Sequence, residues 1–198
     1  MAQNKAQLRA TLLKKRQQLT DLQLSSAALD IVKVVQENNS LNEYFAQAET
    51  ILSYAAFKGE VNPESLIKDL SATTYLPKII NFTNAVMAFY PATQAQVKNR
   101  YGIYEPRGDG KPTEINNFDI ALVPLVGFDH RGNRIGMGAG FYDRVFADLT
   151  ECSRRPLLIG LAHSCQETNS IQPDSWDKPL DVILTEERII DLAGVLSN

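Results

Sequence analysis

The amino-acid sequence predicts an α/β protein built on a mostly parallel sheet covered on both faces. Three observations lead there. Short, wholly apolar runs such as Ile120 to Val126 and Leu157 to Ala162 lack the polar alternation of a half-exposed strand, so they suit strands buried on both sides. Those runs alternate along the chain with segments of helical periodicity. The 198 residues, 44% hydrophobic and 22% charged, are enough for one core, and a single domain over residues 1–198 is expected.

Taken in order, Asn4 to Leu19 is polar with Leu8, Leu12 and Leu19 near helical spacing, which reads as an amphipathic helix. A second helix starts at about Asp21, because Thr20 and Gln23 make a capping box and Leu19 with Leu24 takes the positions of a hydrophobic staple. Asn38, Asn39 and Ser40 end it. The helices of residues 4–38 are expected to pack on the sheet. Thr50 to Ala56 suits a buried strand, and Asn62-Pro63 then reads as an N-cap and first helical residue. Further strands are expected at Thr74 to Leu76, Val86 to Tyr90, Ile120 to Val126, Leu157 to Ala162 and Asp181 to Leu184, with a helix over Tyr142 to Leu149. Pro106 to Asn117, rich in turn residues, is the expected long surface loop. Sheets of this kind place ligands beyond the carboxyl ends of their strands.

Charge excludes several classes of function. Twenty Lys plus Arg stand against 23 Asp plus Glu, a net charge of -3, which gives no global attraction for nucleic acid or an acidic membrane. Any phosphate site must therefore be local. Cys152 and Cys165 form no CxxC pair, and two cysteines are too few for a disulfide framework, which fits a reducing compartment. Met1 to Thr20 lacks the apolar core of a signal peptide, and no later run approaches the about 18 apolar residues of a membrane span. A cytoplasmic enzyme is expected, a monomer with no obligate protein partner.

The common nucleotide, hydrolase and zinc signatures are missing: there is no Walker phosphate loop, no GxGxxG, no GxSxG and no HExxH. With only His130 and His163, a histidine-rich metal site is excluded, and carboxylates remain the ligands for a hard cation such as magnesium. His163 and Cys165 do not read as a catalytic pair, because nothing near Cys165 supplies an oxyanion motif. Lys14, Lys15 and Arg16 match no motif and read as solvated, and Trp176 reads as packing a loop, with stacking on a ligand ring as the alternative.

The informative stretch is Leu122 to Arg144, where a strand ends near Val126, a turn runs through Asp129 to Gly132, and Gly136, Gly138 and Gly140 alternate before a helix. Glycines let backbone N–H groups converge and let an anion approach the main chain. Arg134 can fork onto phosphate oxygens, and Asp143 is a hard oxygen ligand. Spacing alone leaves open a second reading, in which the glycines only solve a turning problem and Asp143 is an ordinary first-turn charge.

The sequence resembles the 5-formyltetrahydrofolate cyclo-ligase family. The core of the resemblance is Gly127-Phe128-Asp129, then Gly132-Asn133-Arg134-Ile135-Gly136, Gly138, Gly140 and Tyr142-Asp143-Arg144. Lys5 and Arg9 look like the family's N-terminal basic pair, and Tyr101 to Pro106 like its Gly-Ile-x-Glu-Pro segment. Gly160-Leu161-Ala162 with Gln166, and Trp176-Asp177 to Asp181 with Thr185-Glu186, look like its later signatures. These matches run collinearly over nearly the whole chain. Phe141 stands where the family's motif usually has tyrosine, and Met137 and Ala139 occupy variable positions.

The resemblance implies a Rossmann-like three-layer α/β/α domain and an ATP- and magnesium-dependent ligase. It would convert 5-formyltetrahydrofolate to 5,10-methenyltetrahydrofolate with release of ADP and phosphate. Carried over by position, Lys5, Arg9 and the run Arg134, Ile135, Gly136, Met137, Gly138, Ala139, Gly140, Phe141 and Tyr142 would contact ATP, with Arg134 and Tyr142 catalytic. Ala55, Glu60 and the overlapping run Met137 to Phe141 would line the folate site, and Asp143 with Asp181 would hold magnesium. Without the resemblance, Lys5 and Arg9 read as solvated helix residues, Glu60 as a surface turn and Asp181 as a strand-edge charge. Two other functional readings compete: a phosphosugar isomerase or acyl-CoA transferase with Glu60 or Glu105 as base, and a noncatalytic nucleotide-binding regulator.

Overall fold

The computed structural model describes residues 4–147, 149 and 154–196; Cys152, and residue 148 of the expected helix over Tyr142 to Leu149, lie outside them. Seven strands form the main sheet: β1 (Thr50–Leu52), β2 (Thr73–Asn81), β3 (Val86–Pro91), β6 (Ile120–Pro124), β9 (Leu157–Leu161), β10 (Val182–Leu184) and β11 (Ile189–Asp191). Their order across the sheet is β11-β10-β9-β6-β1-β2-β3. The five central strands run parallel, and β3 and β11 close the two edges antiparallel. Two hairpins stand apart: β4 (Gln96–Lys98) with β5 (Tyr104–Pro106), and β7 (Gly127–Phe128) with β8 (Arg134–Ile135).

Helices cover both faces. Ile51, Ile120, Leu122, Ile159 and Val182 point to one side, where they meet Ile31 and Val35 of α2 (Asp21–Glu37), Leu41 and Phe45 of α3 (Asn39–Gln47), and Leu66 and Ile67 of α4 (Glu64–Ile67). Their alternate neighbours Leu52, Ala121, Val123, Leu158 and Ile183 point to the other side, against Phe146 of α5 (Phe141–Ala147) and the edge-on pair Phe89 and Phe118. This is the three-layer α/β arrangement expected of all-apolar parallel strands.

The first helix departs from expectation. α2 packs on the sheet, but α1 (Lys5–Gln17) buries Leu8 and Leu12 against Val126, Ile135 and Ile171, at the β7–β8 hairpin and not on a sheet face. The capping box of α2 forms as read: the Thr20 hydroxyl accepts the Gln23 N–H, and the Gln23 side chain accepts the Thr20 N–H at 2.9 Å. Asn38 ends α2 but does not open a loop. Its side chain accepts the Leu41 N–H at 2.9 Å and starts α3 at once. Pro63 takes the N-cap position of α4, one residue later than expected, while the Asn62 side chain accepts the Glu64 N–H.

β1 is shorter than its apolar run. After Leu52 only the Ser53 N–H still reaches the neighbouring strand, at the Tyr75 carbonyl, and the chain then leaves the sheet. Between β1 and β6 the strand order reverses: β2 and β3 extend one way from β1, and β6, β9 and β10 the other. Neighbouring connections diverge at such a point and open a crevice beyond the carboxyl ends of the strands.

Candidate active site

A cavity of about 680 Å³ occupies that crevice, with Tyr54 and Ala55 entering from the end of β1 and Pro124, Leu125 and Val126 from the end of β6. One side is basic and glycine-rich. Arg9 lies on the glycine run, donating through Nε to the Gly136 carbonyl at 2.7 Å. Gly138 has φ +95, and a Cβ there would stand 3.3 Å from Arg9 Cζ, so the backbone needs glycine both for its conformation and for the approach of the guanidinium. Ile135 lines the same wall, with its side chain buried against Leu8 and Leu12.

Arg134 is 6% exposed and makes three contacts: Nη1 donates to the Lys178 carbonyl at 2.6 Å, Nη2 pairs with Asp143, and the guanidinium lies over the Phe146 ring. Lys5 forms ion pairs of 2.7 Å with both Asp174 and Asp177. Met137 projects into solvent at the cavity mouth, and Phe141 stands edge-on to Phe82.

The other side is a buried polar cluster around Glu60. One oxygen of Glu60 accepts the Phe57 N–H at 3.0 Å, and the other lies 3.8 Å from Nη1 of Arg16. Burial pushes the Glu60 carboxyl above the usual carboxylate range, with Arg16 and the Phe57 N–H opposing. The Tyr54 hydroxyl donates to the Val61 carbonyl at 2.7 Å. Both Tyr54 and Tyr142 are pushed well above the ordinary phenol value, first by burial and then by Glu60. Tyr142 is therefore a neutral donor at physiological pH.

Lys5, Arg9, Ala55, Glu60, the whole run Arg134 to Tyr142, and Asp143 line this one cavity. Asp181 does not. It stands before β10, at the end of the sheet where the parallel strands begin, and both its oxygens are bound by Arg155 at 2.6 and 2.8 Å while one also accepts the Leu158 N–H. The structure therefore brings Asp143 to the cavity and leaves Asp181 in a structural ion pair.

At and behind the cavity, several residues stand where the sequence reading did not put them. Arg16 is not solvated: it is 1% exposed. Its place in the stripe of Leu8 and Leu12, four residues apart, was the available signal. Trp176 packs no loop; it is 64% exposed and lines the cavity beside Asp174 and Asp177. Tyr101, Tyr104 and Glu105 come from the β4–β5 hairpin, with the Glu105 carboxylate anchored by the Ile79 N–H and the Asn99 amide. His163 is buried and bonded to the Gly59 carbonyl at 3.1 Å, a structural role that leaves no nucleophile pair with Cys165.

Among the described residues no cluster of three or more His, Cys, Asp or Glu is arranged to hold a metal ion. Of the carboxylates that line the cavity, Asp143 stands beside Arg134 and the glycine run, and a carboxylate there fits the donor set of magnesium, which binds one or two carboxylates together with substrate phosphates. Among the described residues no helix is long and apolar enough to cross a membrane.

Residues 1–186 match the family model described as the 5-formyltetrahydrofolate cyclo-ligase family. The chain is 36% identical over 188 residues to the 5-formyltetrahydrofolate cyclo-ligase of Haemophilus influenzae, covering 92% of this chain and 97% of that protein. Among solved structures it is similar to a 5,10-methenyltetrahydrofolate synthetase from Mycoplasma pneumoniae, with TM-score 0.70 and 28% identity over 93% of this chain and 99% of that one. A 5,10-methenyltetrahydrofolate synthetase from Aquifex aeolicus gives TM-score 0.75 and 27% identity over 95% and 92%.

Proposed function

The chain belongs to the 5-formyltetrahydrofolate cyclo-ligase family, a family of ligases, and from that premise we propose that it closes 5-formyltetrahydrofolate to 5,10-methenyltetrahydrofolate at the expense of ATP, releasing ADP and phosphate. The observation that carries the reading is the single cavity that joins the basic glycine wall of Lys5, Arg9, Arg134 and Gly136 to Gly140 to the Glu60 side. A nucleotide phosphate and a folate ring meet there.

The formyl carbon on N5 is amide-like and a poor electrophile, so its oxygen must first become a leaving group. In the proposed sequence that oxygen attacks the γ-phosphorus, a P–O bond forms, and the bond to the β-phosphate oxygen breaks to release ADP. The N10 lone pair then adds to the activated carbon, its proton is lost to solvent, and the C–O bond breaks as phosphate departs. Phosphoryl transfer mainly needs positioning and charge neutralisation. Lys5, Arg9 and Arg134 supply charge, the glycine run supplies backbone N–H groups, and Tyr142 offers a neutral hydroxyl as a hydrogen-bond donor. Magnesium held by Asp143 would neutralise phosphate charge. Asp181, engaged by Arg155, is left out of this set. Holding N10 against the formyl carbon replaces a bimolecular encounter with a high effective molarity.

Mixing the protein with 5-formyltetrahydrofolate, ATP and magnesium should produce the methenyl chromophore, and omission of ATP or magnesium should abolish it. Equal rates with and without ATP would reject the reading. Turnover of a sugar phosphate without ATP would favour the isomerase alternative.

A further inference from the structure

Arg16 heads the fully buried side chains by volume, yet it is poorly satisfied. Nη1 donates to the Leu125 carbonyl at 3.2 Å, while Nε and Nη2 find no hydrogen-bond partner among the described residues. Its nearest carboxylate, Glu60, stands at 3.8 Å, an ion pair without a hydrogen bond. Taking a guanidinium out of water is costly, and a buried cation with idle donors adds little to stability. Position 16 continues the buried stripe of Leu8 and Leu12, where an aliphatic side chain would pack without that cost. Local violations of this kind mark functional positions.

What Arg16 touches says what it does. Behind the cavity wall the chain makes a tight turn from Phe57 to Glu60, closed by the Glu60 N–H on the Phe57 carbonyl at 3.2 Å. Gly59 adopts φ +78 in that turn, and a Cβ there would lie 3.7 Å from Arg16 Cγ. The Gly59 carbonyl is tied to His163 Nε2 at 3.1 Å. Arg16 thus backs the turn that brings Glu60 to the cavity.

We propose that Arg16 is a positioning residue that holds Glu60 in its charged form and fixes the turn presenting this carboxylate to the N–H donors of the folate pterin ring. The proposal rests on the reading of Glu60 as a folate contact. The groups facing Glu60 are Arg16 from α1, Tyr54 beyond β1 and Tyr142 on α5, while His163 reaches the turn through Gly59. Burial keeps both tyrosines protonated and pushes His163 below its ordinary value, so Arg16 is the charged one among these neighbours. Cys165 lies near Arg16 and is pushed upward by burial, which keeps it neutral as well.

The test measures KM for 5-formyltetrahydrofolate, KM for ATP and the pH profile of kcat/KM for the folate in Glu60→Gln, Arg16→Gln and Arg16→Lys. Glu60→Gln should raise the folate KM about tenfold and leave that for ATP within about twofold, because a carboxylate acceptor facing N–H donors is lost. A normal folate KM in that variant removes the premise. Arg16→Gln keeps a donor for Leu125 but no charge, so the acid limb should move up by about one pH unit, with a raised folate KM at neutral pH. Arg16→Lys keeps the charge, and its acid limb should stay where the parent's is. An impaired Glu60→Gln beside an Arg16→Gln with parental KM and acid limb overturns the proposal while sparing the Glu60 reading. A lysine variant displaced as far as the glutamine variant also overturns it. If Arg16→Gln does not fold, the lysine variant decides: an unmoved acid limb supports the proposal and a displaced one refutes it.

Discussion

Arg134 on β8 and Asp143 on α5 form an ion pair at 2.5 Å that closes the intervening glycine run into a loop. Asp143 therefore has two calls on its charge, from Arg134 and from the magnesium proposed to accompany ATP. Asp143→Asn keeps the size and one oxygen but removes the charge a hard divalent cation requires. Activity should fall at least about tenfold and recover in part at higher magnesium, since a weakened ligand set is refilled by mass action. Titrating magnesium against rate in both proteins checks this. Superimposable curves would assign Asp143 to Arg134 alone.

A second carboxylate holds the loops around the site. Asp129 is fully buried and accepts N–H groups from Arg131, Asn133 and Ile171, and the Asn133 amide, at 2.8 to 3.1 Å. Burial raises its carboxyl, but the hydrogen bonds from Asn133, Ile171 and Arg131 outweigh burial and hold it below the usual range. A carboxyl lowered in the folded state contributes stability above its unfolded value of about 4, and that contribution is lost as pH falls through the folded value. Asp129→Asn should cost about 2–4 kcal/mol near neutrality, because it replaces acceptors by a donor. Thermal midpoints measured from neutral to acid pH should converge for the two proteins. A constant gap would show that the charge is irrelevant.

Gly138 and Gly136 offer a contrast within one loop. An alanine at 138 must take a left-handed φ and press on Arg9, whereas at 136 a Cβ meets nothing within 4 Å. Gly138→Ala should lose about 1–3 kcal/mol and weaken ATP binding, while Gly136→Ala should be milder in stability. Urea midpoints of the two variants test the order, and equal midpoints would remove the strain argument.

Trp176 is the sole tryptophan, so its emission is a clean reporter of the cavity mouth. Its flanking Asp174 and Asp177 hold Lys5, the residue expected at the phosphates. ADP with magnesium should therefore shift or quench the emission, and Lys5→Ala should weaken that response. An emission spectrum unchanged at saturating ADP would separate Trp176 from nucleotide binding.

The parallel core was legible because its strands carry almost nothing but apolar side chains: Ile120 to Val123, Leu157 to Leu161 and Val182 to Leu184 are buried on both faces and leave no competing pattern. α3 was not, because Asn38 caps a new helix in the same step that ends the old one. Both strands of the β2–β3 hairpin were expected, but the length of β2 beyond Leu76 was hidden for a different reason. There Lys78 is half-exposed and Ile80 and Asn81 are exposed, so the apolar signal fades well before the strand does. At the site, the glycine run with Arg134 and Asp143 is local in sequence and could be singled out, although spacing alone left its role open. Arg16 stood in the charge run Lys14-Lys15-Arg16, where charge masked the helical register that places it inside. Asp181 shows the converse, since no local pattern reveals that Arg155, 26 residues earlier, takes both its oxygens.

The face of α1 that carries Lys5, Arg9 and Arg16 is completed by residues far along the chain. Its partners are Glu60, Leu125, Gly136, Asp174 and Asp177, the most distant 172 residues on. As synthesis runs from N- to C-terminus, this helix emerges well before the segments that its cationic, apolar stripe docks on. The late contacts also carry the largest loop-closure cost, so they should form after the sheet. A chain that stops short of Asp177 therefore lacks the carboxylates that fix Lys5 at the cavity wall.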